Sequence, residues 1–147
     1  MKPKININNL IRDNIRAIKP YSSARDDFKD VSTNDMVFLD ANENPFENGV
    51  NRYPDPQQVK LKAILAKKKG VQIENIFIGN GSDELIDLAF RIFCTPGIDR
   101  ALTFTPTYGM YNVSAAINNV ELVECPLNEQ FQIDIDLALA TIEKVKP

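Results

Sequence analysis

Apolar positions along this chain fall into short clusters whose spacing becomes regular only after about residue 55. Before that point they are brief groups separated by Asn, Arg, Pro, Ser and Asp. This predicts an arm with one short helix over residues 9–17, limited by Pro20, which lacks the donor a continuing helix needs. Residues 36–39 are a brief apolar run that predicts a strand, and Asp40-Ala41-Asn42-Glu43-Asn44-Pro45 predicts the turn after it. Beyond it, Asp55 and Pro56 suit a helix cap and first helical position, with Leu61, Ile64 and Leu65 as a buried stripe ending at Gly70. Residues 76–78 predict a strand, and Leu85, Leu88, Ala89, Ile92 and Phe93 then recur at helical spacing. A second strand is predicted over 101–104, a helix from Thr105-Pro106 to about 117, and a third strand over 120–123. Asn128-Glu129-Gln130 predicts a turn, and Asp134 or Asp136 can cap a last helix reaching Val145.

Strands alternating with helices imply an α/β domain with a mainly parallel sheet. In such sheets ligands gather beyond the carboxyl ends of the strands. The two most unusual segments, residues 79–84 and 105–111, lie at those ends.

Composition narrows the chemistry. A net charge of −3 gives no electrostatic footprint for nucleic acid. The one basic cluster, Lys67-Lys68-Lys69, precedes Gly70, where a helix C-terminus favours positive charge. No run approaches the roughly 18 apolar residues of a membrane span, and Met1-Lys2-Pro3-Lys4 lacks a signal core. Cys94 and Cys125 have no metal-ligand spacing and read as small core residues, which fits a reducing, cytoplasmic compartment. The 147 residues include no histidine. This excludes Ser-His-Asp and Cys-His catalysis and imidazole metal sites within the chain, so chemistry falls to a cofactor, a carboxylate, a lysine or a tyrosine.

Gly79-Asn80-Gly81-Ser82-Asp83-Glu84 joins a predicted strand to a helix. Its glycines permit a tight turn and close ligand approach, and free N–H groups at Ser82 and Asp83 can hold a phosphate. The same residue types also serve as ordinary helix caps. Glu84 replaces the third glycine of a dinucleotide fingerprint, and no Gly-Lys-Ser/Thr ending is present. A smaller phosphate monoester is the reading left open. Tyr108, in Thr105-Pro106-Thr107-Tyr108-Gly109-Met110-Tyr111, can stack on a planar cofactor or be a half-buried core tyrosine.

Taken together, five segments resemble the histidinol-phosphate branch of the fold-type I aminotransferases. They are Lys19-Pro20-Tyr21-Ser22-Ser23-Ala24-Arg25, Leu39-Asp40-Ala41-Asn42-Glu43-Asn44-Pro45, Asn51-Arg52-Tyr53-Pro54, the 79–84 segment, and Pro106-Thr107-Tyr108-Gly109-Met110-Tyr111. The resemblance implies the first half of that family's α/β large domain over residues 51–147, preceded by an arm and small-domain strand over 1–50. It implies pyridoxal 5'-phosphate as cofactor, with the backbone amides of Ser82 and Asp83 on its phosphate and Tyr108 stacked on its ring. Tyr53 would reach the cofactor of the other subunit in a homodimer, Tyr21 would lie near substrate, and the backbone around Asn42 would approach it. The implied reaction is transamination between L-histidinol phosphate, a small-molecule substrate, and 2-oxoglutarate in histidine biosynthesis. Alternatives are another aminotransferase or a phosphate-substrate decarboxylase of the same family, or a noncatalytic Rossmann-type binding module.

By the same resemblance the Schiff-base lysine lies downstream, so no catalytic residue is expected here. Lys60, Lys62 and Lys67 to Lys69 belong to a surface helix, and Lys144 and Lys146 lie at the end of the sequence. The isolated chain is expected to be an inactive N-terminal fragment. Its first strand would not neighbour the next two, because later strands would lie between them, leaving unpaired edges.

Overall fold

A computed structural model describes residues 5–22 and 37–147. Ser23, Ala24 and Arg25 of the predicted arm, and Met36, lie outside the described residues. The chain divides into two compact units, one of Met1–Ile18 with Gly79–Pro147, the other of Lys19–Ile78.

The first unit holds the sheet. Helix α1 (Asp13–Arg16) follows a 3-10 turn at Ile7–Asn9, so the predicted 9–17 helix is broken into two short pieces. The segment is tied to helix α3, Ser82–Phe93. Arg12 donates from its backbone N–H to the Ile92 carbonyl at 3.1 Å and from its guanidinium to the Arg91 carbonyl at 2.8 Å.

Strands β1 (Arg100–Thr105) and β2 (Glu121–Pro126) pair in parallel, Arg100 opposite Glu121 and Thr105 opposite Pro126. Helix α4 (Met110–Ile117) makes the crossover that a parallel pair requires. The core forms where α3 and α4 meet the sheet: Phe90, Ala115 and Val120 are buried, with Ile86, Cys94, Ala101 and Leu122 packed against them. Side chains alternate across a strand, so Leu102, Phe104, Val123 and Cys125 point to the opposite face. Cys125 is fully buried and Cys94 half-buried, as expected of small core residues. Burial, and then the charge of Asp99, pushes the Cys94 thiol above its ordinary range.

The last helix, α5 (Ile135–Val145), packs on β2. Asp134 caps it, its carboxylate accepting the Leu137 N–H at 3.0 Å. The preceding turn is closed by Asn128, whose side chain accepts the Gln130 and Gln132 N–H groups. Both features match the sequence reading.

Asp87 on α3 links that helix to the end of α4. It accepts from Asn118 at 2.7 Å and from Arg91 at 2.6 Å. The Asn118 hydrogen bond first, and then Arg91, holds its carboxyl below the ordinary 3.8, against an opposing desolvation effect. A depressed folded-state pKa means stability present above the unfolded value and lost as pH falls through the folded one. Unfolding curves of the protein and of Asp87→Ala are therefore expected to differ at neutral pH and to converge as the pH falls through and below 3.8. A gap that stays constant to low pH would contradict this ionic contribution.

The second unit contains helix α2 (Val59–Lys69), which ends at Gly70 in the left-handed conformation with Lys67, Lys68 and Lys69 in its last turn. Three expectations fail here. The helix does not begin at Pro56: Asp55 instead closes a turn, accepting the Gln57 and Val59 N–H groups at 2.8 and 2.9 Å. Leu61 and Ile64 are exposed rather than buried, and Leu65 is half-buried. Among the described residues the element beside α2 is the 3-10 turn Ile73–Asn75, too small a surface to cover a stripe. Residues 37–39 and 76–78 are not strands. Ile76 has extended backbone (φ −117°, ψ 122°), but a strand also needs a hydrogen-bonded ladder, and among the described residues only β1 and β2 form one.

Candidate functional site

The 79–84 segment forms a turn into α3. Gly81, at φ 87° and ψ 170°, occupies backbone space that is essentially closed to residues with a Cβ. This conformation leads directly into Ser82 and Asp83. No side chain caps the helix there, so the free N–H groups and the positive end of the helix dipole are available to an anion.

Gly79 leaves room for the side chains that fold over the turn. A Cβ there would lie 2.8 Å from Glu84 Oε2 and 3.0 Å from Leu85 Cδ2. Glu84 is folded back over the turn and accepts the Asn80 N–H. Its carboxylate is thereby engaged with the loop that precedes the helix, while the amides of Ser82 and Asp83 stay uncapped.

Tyr108 approaches from the end of β1. The expected helix start at Pro106 is not observed: the Thr105–Pro106 peptide is cis and α4 begins at Met110. Tyr108 therefore sits on irregular backbone between strand and helix, its residue 53% exposed. Its ring stands edge-on to Tyr111, with centroids 6.4 Å apart and planes at 86°. Its hydroxyl donates to Asp83 Oδ2 at 3.4 Å. This bond and the charge of Asp83, followed by desolvation, raise the phenol above its ordinary pKa. Asp83 Oδ1 is buried and has no hydrogen-bond partner. The structure thus brings Ser82, Asp83 and Tyr108 together within one unit, an uncapped helix start beside a half-exposed aromatic ring.

Asn42 and Tyr53 belong to the other unit, where Glu43 joins their segments. Its side chain, 4% exposed, pairs with Arg52 at 3.0 Å and accepts the Tyr53 N–H at 2.7 Å. Asn51 Nδ2 donates to the Asn44 carbonyl at 3.1 Å. The two polar segments are one hydrogen-bonded loop pair, and Glu43 is a residue that sequence reasoning passed over. Its only signal was a carboxylate nine residues before Arg52. Tyr53 is 62% exposed, Tyr21 is 92% exposed and Asn42 is exposed.

Among the described residues no three His, Cys, Asp or Glu side chains converge as a metal site, and no helix is long and apolar enough to cross a membrane.

The family model for aminotransferase class I and II matches residues 30–147. The histidinol-phosphate aminotransferase of Flavobacterium johnsoniae is 54% identical over 138 residues, which cover 94% of this chain and 40% of that protein. That of Christiangramia forsetii is 55% identical over 139 residues, covering 95% of this chain and 39% of that protein. The chain spans about 40% of the length of the curated relatives it matches. Among solved structures, the histidinol-phosphate aminotransferase of Sinorhizobium meliloti in complex with pyridoxal-5'-phosphate superposes with a TM-score of 0.55 at 28% identity, covering 65% of this chain and 25% of that one.

Proposed function

The chain belongs to the class I and II aminotransferases, and from that premise we propose that it serves pyridoxal 5'-phosphate-dependent transfer of an amino group between L-histidinol phosphate and 2-oxoglutarate. The activity is assigned to the chain within a protein of its relatives' length, acting in histidine biosynthesis as a cytoplasmic homodimer. One observation carries the reading: an uncapped helix start at Ser82 and Asp83 lies beside the Tyr108 ring, in a chain 54% identical to a histidinol-phosphate aminotransferase.

The residues fit the cofactor chemically. Its phosphate is an anion for the amides of Ser82 and Asp83, where the helix dipole favours negative charge. Glu84, engaged with the Asn80 N–H, leaves those amides available. Its planar ring is a surface for Tyr108 to stack on. When bound, the cofactor supplies the electron sink for the reaction, and the protein supplies orientation and electrostatics.

Tyr53 is assigned a hydrogen bond from its hydroxyl to the cofactor phosphate of the partner subunit. Its loop is fixed at the backbone by Glu43, while its side chain remains exposed for such a contact. Tyr21 and the backbone around Asn42 are assigned to the substrate side. No lysine of the chain is given a catalytic role: Lys67, Lys68 and Lys69 stand exposed at the end of α2, without the desolvation that activates an amine.

The test uses the full-length enzyme. Amino transfer from L-histidinol phosphate to 2-oxoglutarate is expected, and turnover of another amine without it, or decarboxylation instead, would overturn the substrate. Tyr108→Ala is expected to weaken cofactor affinity roughly two- to tenfold, the scale of one aromatic stacking contact. Tyr108→Phe, which keeps the ring but not the hydroxyl, should lose less. An alanine variant that is destabilised by several kcal/mol but binds cofactor normally when folded would make Tyr108 a packing residue.

A further inference from the structure

The carboxylate of Asp83 has no evident place in an anion-binding turn, since its charge opposes the phosphate that its own backbone N–H is suited to hold. The structure shows where the carboxylate goes. Oδ2 accepts the Tyr108 hydroxyl across 25 residues of sequence, and Oδ1 is buried without a partner. Tyr108 lies on irregular backbone before α4, so no regular element fixes its ring. Its ring contact is the edge of Tyr111, a weak directional constraint.

We infer that Asp83 is a positioning residue: its side chain tethers the Tyr108 hydroxyl, holding the ring at the mouth of the turn whose backbone amides bind the cofactor phosphate. The inference rests on the cofactor reading above. One residue then serves the site twice, through its N–H toward the phosphate and through its carboxylate toward the ring. The raised phenol pKa agrees with the tether, because both the hydrogen bond and the charge of Asp83 favour the neutral hydroxyl. The 3.4 Å separation is that of a long hydrogen bond, with room to tighten as a ligand completes the site.

The test is a double-mutant cycle on the full-length enzyme, with Asp83→Ala, Tyr108→Phe and the double variant. Each is stripped of cofactor and titrated with pyridoxal 5'-phosphate. Asp83→Ala is expected to weaken affinity roughly two- to threefold more in the parent than in the Tyr108→Phe background, where no hydroxyl remains to be held. A direct effect of the Asp83 charge on the phosphate, or a general loss of helix stability, enters both backgrounds alike and cancels. Asp83→Asn, which keeps an acceptor oxygen and the fold, should retain the coupling. A second readout needs no cofactor. In a spectrophotometric tyrosine titration of the apoprotein, the component absent from Tyr108→Phe should move to lower pH in Asp83→Ala. Independent effects on affinity, or a phenol titration indifferent to Asp83→Ala, would overturn the tether. Failure of the parent to bind pyridoxal 5'-phosphate would instead remove the cofactor reading on which it rests, even if the phenol titration responds.

Discussion

Replacing Phe90 by alanine is expected to destabilise the protein by about 3–4 kcal/mol, the usual scale for removing a buried phenylalanine. Phe90 is the largest buried apolar side chain of its unit among the described residues, 8% exposed, and it packs with Ala115 and Val120. Ala115 is too small to fill the space a lost ring would leave, and Val120 is fixed by its N–H bond to the Ala115 carbonyl at 2.9 Å. Neither neighbour can collapse into the gap without moving α4 against the sheet. Total stability of a domain is typically about 5–15 kcal/mol, so the loss removes a large share. Leu85→Ala on the same helix is the control, because Leu85 is already exposed and its loss should cost much less. Denaturant unfolding of the full-length protein reads both variants. Equal midpoint shifts for the two would show that the cluster around Phe90 is not the core of this unit.

Gly81→Ala is expected to cost about 1–3 kcal/mol in backbone strain and to abolish much of the preference for phosphorylated cofactor. An added Cβ at this position meets no atom within 4 Å. The whole effect therefore comes from the conformation, φ 87° and ψ 170°, which alanine relieves only by rotating the turn. That rotation re-aims the N–H groups of Ser82 and Asp83. A hydrogen bond to a charged group contributes about 1.5–3 kcal/mol, so losing one should reduce affinity about tenfold or more. Pyridoxal, which lacks the phosphate, should be little affected. The ratio of the two affinities isolates the turn from any general loss of stability. An unchanged ratio in Gly81→Ala would rule the turn out as the phosphate site.

Local chemistry alone made much of the first unit legible. The spacing of Leu85, Leu88 and Ile92 specified α3, Asp134 specified the start of α5, and Asn128 specified the turn before it. These features depend on residues within a few positions of one another. The failures depend on distant partners. Residues 76–78 have an apolar, partly β-branched sequence, and Ile76 is extended, but a strand exists only where a second strand accepts and donates its hydrogen bonds. The stripe of Leu61 and Ile64 has helical periodicity, but burial requires an opposing surface, and among the described residues the element beside α2 is a short turn.

The candidate site divides along the same line. The sequence by itself marked residues 79–84 as a turn into a helix, through its two glycines and the helical period that follows, while the structure decided that no side chain caps the amides there. It also marked Tyr108 as an aromatic residue at a strand end. Only the tertiary structure decided that Tyr108 would stand next to Asp83, since α3 packs against α4 and so brings its start beside the segment that leads into α4. It likewise decided that Glu43 would be buried between Arg52 and the Tyr53 N–H. A carboxylate's partner is fixed by where the chain folds back, and no local pattern of residues encodes that return.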